Sequence, residues 1–367
     1  MTADLSLFWP SCKRPIPLFP LFLPYSGCPR RCVFCAQDRQ TGQPPRAPQD
    51  ALREAAAALA QRAACRLPAP ELAFYGGTFT ALPPEQLTAC LDFARLMRER
   101  GWSRGLRCST RPDCVPAAVL ARLREAGCRC VELGVQSFAD AALRRSQRGY
   151  DAAAARAGCR AVRTAGLELG VQLMPGMPGS TPRSFLEDVR QALALGAACL
   201  RFYPCLVLEG TALAERWRAG EYRPWPLEIT LEILADAYVL AQEARVPVIR
   251  MGLAPEDGLQ AAVLAGPAHP ALGARVQARA LLRCAARELA RSGVAGGERL
   301  GLVLPRRLQG MYLGHAGELR AAWQALGVDA GLTRFHDAEE TIRLVRQNGF
   351  SPEAPAHKAG ATPREQL

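Results

Sequence analysis

Between residues 17 and 253 short apolar runs alternate with longer stretches of helical period, and this rhythm narrows the possible folds sharply. Strands are expected at 17–25, 71–75, 105–110, 130–136, 168–174 and 199–204, with helices at 49–66, 83–100, 116–126, 151–164, 181–195 and 226–243. A last apolar stretch covers 247–253. A helix inserted between two strands returns the chain by a right-handed crossover, so the strands are parallel, in a doubly wound sheet or a barrel of about six βα units. Glycines and polar residues recur just after one strand after another, at 76–78, 109–111, 136–137 and 201–203. A barrel gathers such residues around one mouth, whereas an open sheet concentrates them at a single switch point. The barrel is therefore the expected architecture.

Of the 367 residues 49% are apolar, enough to bury a sizeable core. The expected organisation is a barrel over 1–255, a small α+β appendage over 256–350, and a disordered, Pro- and charge-rich tail over 351–367. No run of about eighteen uncharged apolar residues occurs, and the first residues lack the basic-then-apolar order of a secretory signal. A cytoplasmic protein with no membrane partner is expected. The formal charge is +12, carried almost wholly by Arg, since Lys13 and Lys358 are the only lysines. Phosphate-bearing partners suit that balance, although the basic residues follow no single stripe.

Fourteen cysteines would suggest a disulfide framework in a short secreted chain, but most stand singly in apolar surroundings, as Cys90, Cys159 and Cys199 do. Cys28, Cys32 and Cys35 differ: three soft ligands fall within eight residues of a Gly-, Pro- and Arg-rich loop. Three thiolates can bind three irons of a cubane and leave the fourth iron without a protein ligand. Zinc is the rival, but a structural zinc site completes a tetrahedron with a fourth Cys or His. Cys12, His269, His315, His336 and His357 are all distant in sequence, which does not exclude folding back. Thiol–disulfide exchange by Cys32 and Cys35 is a third reading, one that leaves Cys28 without a role.

The strand ends supply further candidates. Gly76 and Gly77 follow the second strand directly, where missing side chains let a ligand approach the backbone or simply allow a sharp turn. Ser109, Thr110 and Arg111 end the third strand, and Glu132, Gln136 and Ser137 the fourth. Helix capping would account for Ser137 and Asp113, but Gln136 inside an apolar strand needs a partner if buried. Gln172 on the fifth strand and Arg201 and Tyr203 on the sixth complete the set. Each either lines a ligand cavity or satisfies a structural need.

The cysteine spacing, with aromatic Phe34 just before the third cysteine, resembles the hallmark of the radical S-adenosylmethionine (SAM) superfamily. The resemblance implies a partial (β/α)6 TIM-like barrel and a 4Fe-4S cluster on Cys28, Cys32 and Cys35 as metal ligands. It implies that the open iron chelates the amino and carboxylate groups of SAM, and that reductive cleavage yields methionine and a 5′-deoxyadenosyl radical. An electron donor such as flavodoxin or ferredoxin is implied as partner. The glycine-rich turn resembles the motif that receives the methionyl amino group, with Thr78 where a Glu is usual. Phe34, Gly76, Gly77, Thr78, Ser109, Gln136, Gln172 and Arg201 become the candidate cofactor-binding residues, and Tyr203 a candidate catalytic one.

Together LPYSGCPRRCVFC, FYGGTFTAL, STRPD, ELGVQS, LMPGMPG and AGPAHPAL resemble the family of the Elongator catalytic subunit, the tRNA uridine acetyltransferases, over about residues 15–275. That resemblance implies RNA modification with tRNA as partner, the adenosyl radical activating the methyl of an acetyl group from acetyl-CoA for C5 of a wobble uridine. The residues after 275 show no Gly-rich CoA loop, so a short form without the acetyltransferase domain is expected. Within them Gly314, His315, Ala316 and Gly317 resemble the G-x-x-G loop of KH modules, with Arg306 and Arg307 nearby, although a helix N-terminal turn explains the pattern equally well. Two other classes stay open: radical chemistry on a small molecule, as in relatives resembling oxygen-independent coproporphyrinogen oxidase, and a non-catalytic zinc or RNA-binding module.

Overall fold

A computed structural model describes residues 5–8, 16–253, 257–292, 299–336 and 341–346. They belong to two compact units, Pro10–Leu281 and a smaller one formed by Met1–Trp9 with Leu282–Leu367.

The chain opens with β1 (Leu5–Phe8), which belongs to the smaller unit. The larger unit then lays down β2 (Leu18–Phe22), β3 (Glu71–Tyr75), β4 (Leu106–Thr110), β5 (Cys128–Gln136), β6 (Glu168–Leu173) and β7 (Cys199–Phe202) in spatial sequence. After a two-residue strand, β8 (Val207–Leu208), comes β9 (Val248–Met251), which pairs with β7. The seven-stranded sheet β2-β3-β4-β5-β6-β7-β9 is parallel throughout and curls into a half-barrel. Six of the strands are those expected from the sequence; the seventh, β9, is the apolar stretch at 247–253, half-exposed because it forms the edge. A separate antiparallel pair joins β8 to β10 (Val263–Ala265).

The helices are α1 (Gln37–Thr41), α2 (Pro48–Ala64), α3 (Pro84–Glu99), α4 (Ala117–Glu125), α5 (Asp140–Arg145), α6 (Ala152–Thr164), α7 (Pro182–Ala194), α8 (Ala212–Arg218), α9 (Leu227–Glu243), α10 (Asp257–Ala262) and α11 (Leu272–Ser292). Side-chain caps explain where two of them start. The Asp151 side chain accepts from the amide of Ala154 at 2.8 Å to cap α6. Thr181 and Ser184 cap α7 reciprocally, with Pro182 in its first turn. The face of the strands that the helices cover needs apolar side chains, and Val131, Leu133, Val135, Leu169 and Val171 are accordingly buried on it. Phe185 of α7 meets Phe202 of β7 edge-on with ring centroids 5.7 Å apart, fixing the even-numbered side of β7 against the helices. Burying each such ring contributes about 1.5–3 kcal/mol. Among the described residues no helix is long and apolar enough to cross a membrane.

Asp188 on α7 is buried and accepts from the Ser137 hydroxyl and the Phe138 amide, both at 2.7 Å, which ties the end of β5 to α7. Ser137 thus has a structural partner. Burial pushes the Asp188 carboxyl up to about 6, the two hydrogen bonds offsetting only part of the effect. The folded chain therefore keeps this proton where the unfolded chain has lost it, and stability falls as pH rises from about 4 to 6, then levels. Urea unfolding of wild type and Asp188→Asn should show their stability difference moving by about 2–3 kcal/mol, against the wild type, between pH 4 and 7. A pH-independent difference would remove Asp188 from the titration.

In the smaller unit β11 (Leu300–Pro305), β12 (Arg334–His336) and β13 (Thr341–Arg346) join β1 in a four-stranded sheet of order β1-β13-β11-β12. β13 is antiparallel to β1 and β11, and β12 is parallel to β11. Trp323 of α12 (Arg320–Ala325) is buried and donates to the carbonyl of Tyr312 at 2.7 Å. The division between units falls at 281/282, inside α11, against the expected 255, and the N-terminal strand belongs with the C-terminal sheet. The tail at 351–367 lies outside the described residues.

Candidate functional site

The three cysteines occupy a loop that crosses the C-terminal ends of β2 and β3. Leu23 donates its amide to the Tyr75 carbonyl at 2.8 Å, and Thr78 donates to the Ser26 carbonyl at 2.8 Å, so this loop and the turn after β3 pack backbone on backbone. Both are left-handed at glycine, Gly27 at φ +70° and Gly77 at φ +58°, and a Cβ on either would overlap the other loop's backbone. Gly76 similarly lies against the backbone of Leu23 and Pro24. Gln37 closes the assembly: its Oε1 accepts from the amides of Tyr25 at 2.5 Å and Gly77 at 2.8 Å. Gly76 and Gly77 thus have a packing reason for being glycine.

Cys32 is buried, and Cys28 and Cys35 are half-buried. Burial, then the neighbouring Cys32 and Cys28, push the Cys35 thiol up to about 12. Burial likewise pushes Cys28 up, against a hydrogen bond with Thr78, whose Oγ1 lies 3.3 Å from the Cys28 sulfur. The sulfurs are therefore close enough to feel one another in a desolvated pocket, where an iron cation would reverse the cost of ionising them. Among the described residues no three His, Cys, Asp or Glu side chains surround a single-ion position. Three thiols with a cation alongside are the donor chemistry of an iron–sulfur cluster with one open corner, and the residues present fit that group.

The cation alongside is Arg148. It is buried, its Nη1 donates to the Cys32 sulfur at 2.9 Å, and its Nη2 donates to the Gly134 carbonyl at 2.6 Å and the Tyr150 hydroxyl at 2.8 Å. Its own carbonyl accepts from Arg111 at 2.6 Å, and Arg111 forks onto Asp113 at 2.8–2.9 Å. Nothing in the sequence marks Arg148, which lies 116 residues from Cys32.

The sheet face opposite the helices carries the other candidates. Glu132, 1% exposed, accepts from the Tyr75 hydroxyl at 3.0 Å, Arg107 at 3.0 Å and Arg201 at 2.5 Å. Arg107 also binds Glu71 at 2.8 Å, and Arg129 joins Glu71 at 3.0 Å. Burial raises the Glu71 carboxyl, but Arg129 and Arg107 outweigh it and hold the group below its ordinary range. Arg201 lies over the rings of Tyr75 and Tyr203 at 4.9 and 5.1 Å and donates to the Tyr203 hydroxyl. Gln136 sits at φ +67° on a bulge of β5 and accepts from Gln172 at 3.3 Å, the partner its burial required. The Ser109 hydroxyl is 3.5 Å from the Glu132 carbonyl.

The fold thus brings Ser109, Gln172, Arg201 and Glu132 onto one face by strand register, with Tyr203 bonded to Arg201 and Gln136 to Gln172. Cys28, Cys32, Cys35, Gly76, Gly77 and Thr78 come together at the ends of β2 and β3. Phe34 packs in the apolar cluster beneath the loop with Met174, Met177 and Tyr222. Gly314–Gly317 lies in the smaller unit, where it forms a tight turn with Gly314, Ala316 and Gly317 all at positive φ.

A curled parallel sheet with a three-thiol loop at its strand ends defines a class, and the sequence agrees: it matches the Radical SAM superfamily over residues 22–192 and the Radical_SAM C-terminal domain over 197–282. The chain belongs to the radical SAM superfamily and is an enzyme of it, and its half-barrel is that superfamily's partial TIM barrel. Enzymes of this family use a 4Fe-4S cluster and SAM. Among individual proteins it is 30% identical to a tRNA uridine(34) acetyltransferase of Methanocaldococcus infernus over 187 residues, 46% of this chain and 35% of that one. The enzyme of the same name from Dehalococcoides mccartyi is 33% identical over 155 residues, 41% of this chain and 34% of that one. Protein YhcC of Escherichia coli is 33% identical over 128 residues, 34% of this chain and 41% of that one. The chain therefore spans about a third of the length of the curated relatives it matches first. The archaeal M. infernus Elp3 shares the fold, with a TM-score of 0.56 at 22% identity over 77% of this chain and 65% of that one.

Proposed function

We propose that this enzyme holds a 4Fe-4S cluster on Cys28, Cys32 and Cys35, cleaves SAM reductively, and modifies RNA, with tRNA as the substrate class. The observation that carries the proposal is the desolvated three-thiol loop with the Arg148 guanidinium on Cys32. Such a cluster, once reduced by a donor such as ferredoxin or flavodoxin, supplies the electron that splits SAM into methionine and a 5′-deoxyadenosyl radical. The protein's part is positional. Arg148 donates to the Cys32 sulfur and sets a positive charge beside it, and the Thr78 hydroxyl shares a hydrogen bond with the Cys28 sulfur. The interlocked glycine loops hold the three sulfurs rigidly, and the apolar cluster around Phe34 keeps water from them. Ser109, Gln136, Gln172 and Arg201 would offer polar groups to SAM, with Tyr203 hydrogen-bonded to Arg201 as the candidate catalytic group.

RNA is favoured by the tRNA-modifying relatives over the barrel region and by the net charge of +12. The test is anaerobic reconstitution with iron and sulfide, then assay for 5′-deoxyadenosine from SAM under dithionite, paired with nucleoside analysis of tRNA from a deletion strain. Product formation and a missing modified nucleoside are expected. Absence of 5′-deoxyadenosine, or turnover of a small metabolite with every tRNA nucleoside intact, would overturn the proposal.

A further inference from the structure

We infer that the larger unit carries, beside the cysteine loop, a pocket for one nucleotide of an RNA strand, an aromatic base flanked by phosphates; the inference rests on the RNA reading above. The pocket has a volume of about 460 Å³ and opens between the turn that follows β6 and the segment linking α8 to α9. Arg145 from the end of α5, Arg216 from α8 and Arg223 from the linking segment line it, against one carboxylate, Glu221. Three cations against one anion leave a positive surplus in a confined space. Guanidinium groups match phosphate oxygens in geometry as well as charge. Arg216 is anchored, its Nη1 donating to the Arg145 carbonyl at 2.6 Å, so α5 and α8 are held at a fixed separation across the pocket.

The aromatic wall is Trp225, half-exposed and laid against Gly176. A Cβ at 176 would stand 3.4 Å from the indole Cγ, so the missing side chain lets the ring rest on the turn. Buried Tyr222 donates its hydroxyl to the Gly176 carbonyl at 2.7 Å and braces the same turn from beneath. An indole held this way is preorganised for stacking, and stacking plus guanidinium contacts is how single-stranded RNA is gripped without regard to sequence.

The pocket's place suits that ligand. Met177 and Tyr222, which line it, belong to the same buried cluster as Cys32, Val33 and Phe34, and the Leu213 amide of α8 donates to the Val33 carbonyl at 2.8 Å. A nucleotide seated here lies one apolar layer from the cysteine loop, as a flanking residue of the RNA would while its neighbour reaches the strand ends.

The test uses the full-length, anaerobically reconstituted protein and a fluorescein-labelled single-stranded RNA oligonucleotide, with anisotropy read over a salt series. Trp225→Ala should weaken binding about tenfold or more and Trp225→Phe should recover most of the loss. The double variant Arg145→Ala/Arg223→Ala, at two exposed positions, should flatten the dependence of log affinity on log salt by about 1.4, two contacts at about 0.7 each. No binding of RNA by wild type at low salt would overturn the RNA reading itself. Binding by wild type that none of these variants changes would overturn the pocket while leaving that reading standing. Trp225-dependent binding of adenosine 3′,5′-bisphosphate, with RNA affinity unaffected by the substitutions, would give the pocket to a free nucleotide and overturn its assignment to RNA.

Discussion

Cys32→Ala is expected to lose both iron and turnover: anaerobic reconstitution should leave the protein without its charge-transfer absorbance, and 5′-deoxyadenosine should fall to the protein-free background. Cys32 is the most buried of the three thiols and the one that receives Arg148. Removing it takes away one of three soft donors and leaves Arg148 Nη1 facing a methyl group, its sulfur acceptor gone while Nη2 keeps Gly134 and Tyr150. Cys65→Ala is the control, because Cys65 is exposed at the end of α2 and touches none of this. It should retain wild-type iron and product. A Cys32→Ala protein that still binds iron and still makes 5′-deoxyadenosine would remove the cysteine loop from the chemistry.

Glu132→Ala should be the most destabilising single change on the inner face of the sheet. Glu132 neutralises Arg107 and Arg201 at 3.0 and 2.5 Å and is almost wholly buried. Its loss leaves two guanidinium groups with one carboxylate fewer in a low-dielectric interior, a defect worth roughly 3–5 kcal/mol. For a domain of this size that corresponds to a fall in Tm of roughly 6–20 °C, measured by circular dichroism under anaerobic conditions. Glu132→Gln keeps an acceptor for Tyr75 but not the charge, and should fall between wild type and alanine. An unchanged Tm in the alanine variant would mean that water reaches the network.

Some of this was legible beforehand for definite reasons. Strands β3 to β7 each turn an apolar face to the helices, and that face together with the helical period between the strands showed in the sequence as the alternation of short and long segments. The cysteine triplet stood out because its three thiols fall within one short loop. What escaped is non-local or short. β1 is four residues long and pairs with Thr341–Arg346, hundreds of positions away, so no window of sequence ties them, and the boundary expected at 255 missed both that pairing and the division within α11. Arg148 is defined only by folding. The partners of Glu132 meet through strand register, which periodicity does not report. Gly76 and Gly77 were visible as a turn, but the sequence could not show that Ser26, Leu23 and Pro24 would be what presses on them.

That pressing has a consequence for how the scaffold can vary. Segments 26–28 and 76–78 are fifty positions apart yet meet backbone on backbone at Gly27 and Gly77, where no side chain can adjust. An insertion, shortening or graft of one is tolerated only if the other travels with it. Anyone moving the thiol-bearing loop into a different barrel, or swapping it among relatives, should exchange both pieces as a single cassette and leave Gln37, which clasps them, in the transplanted set.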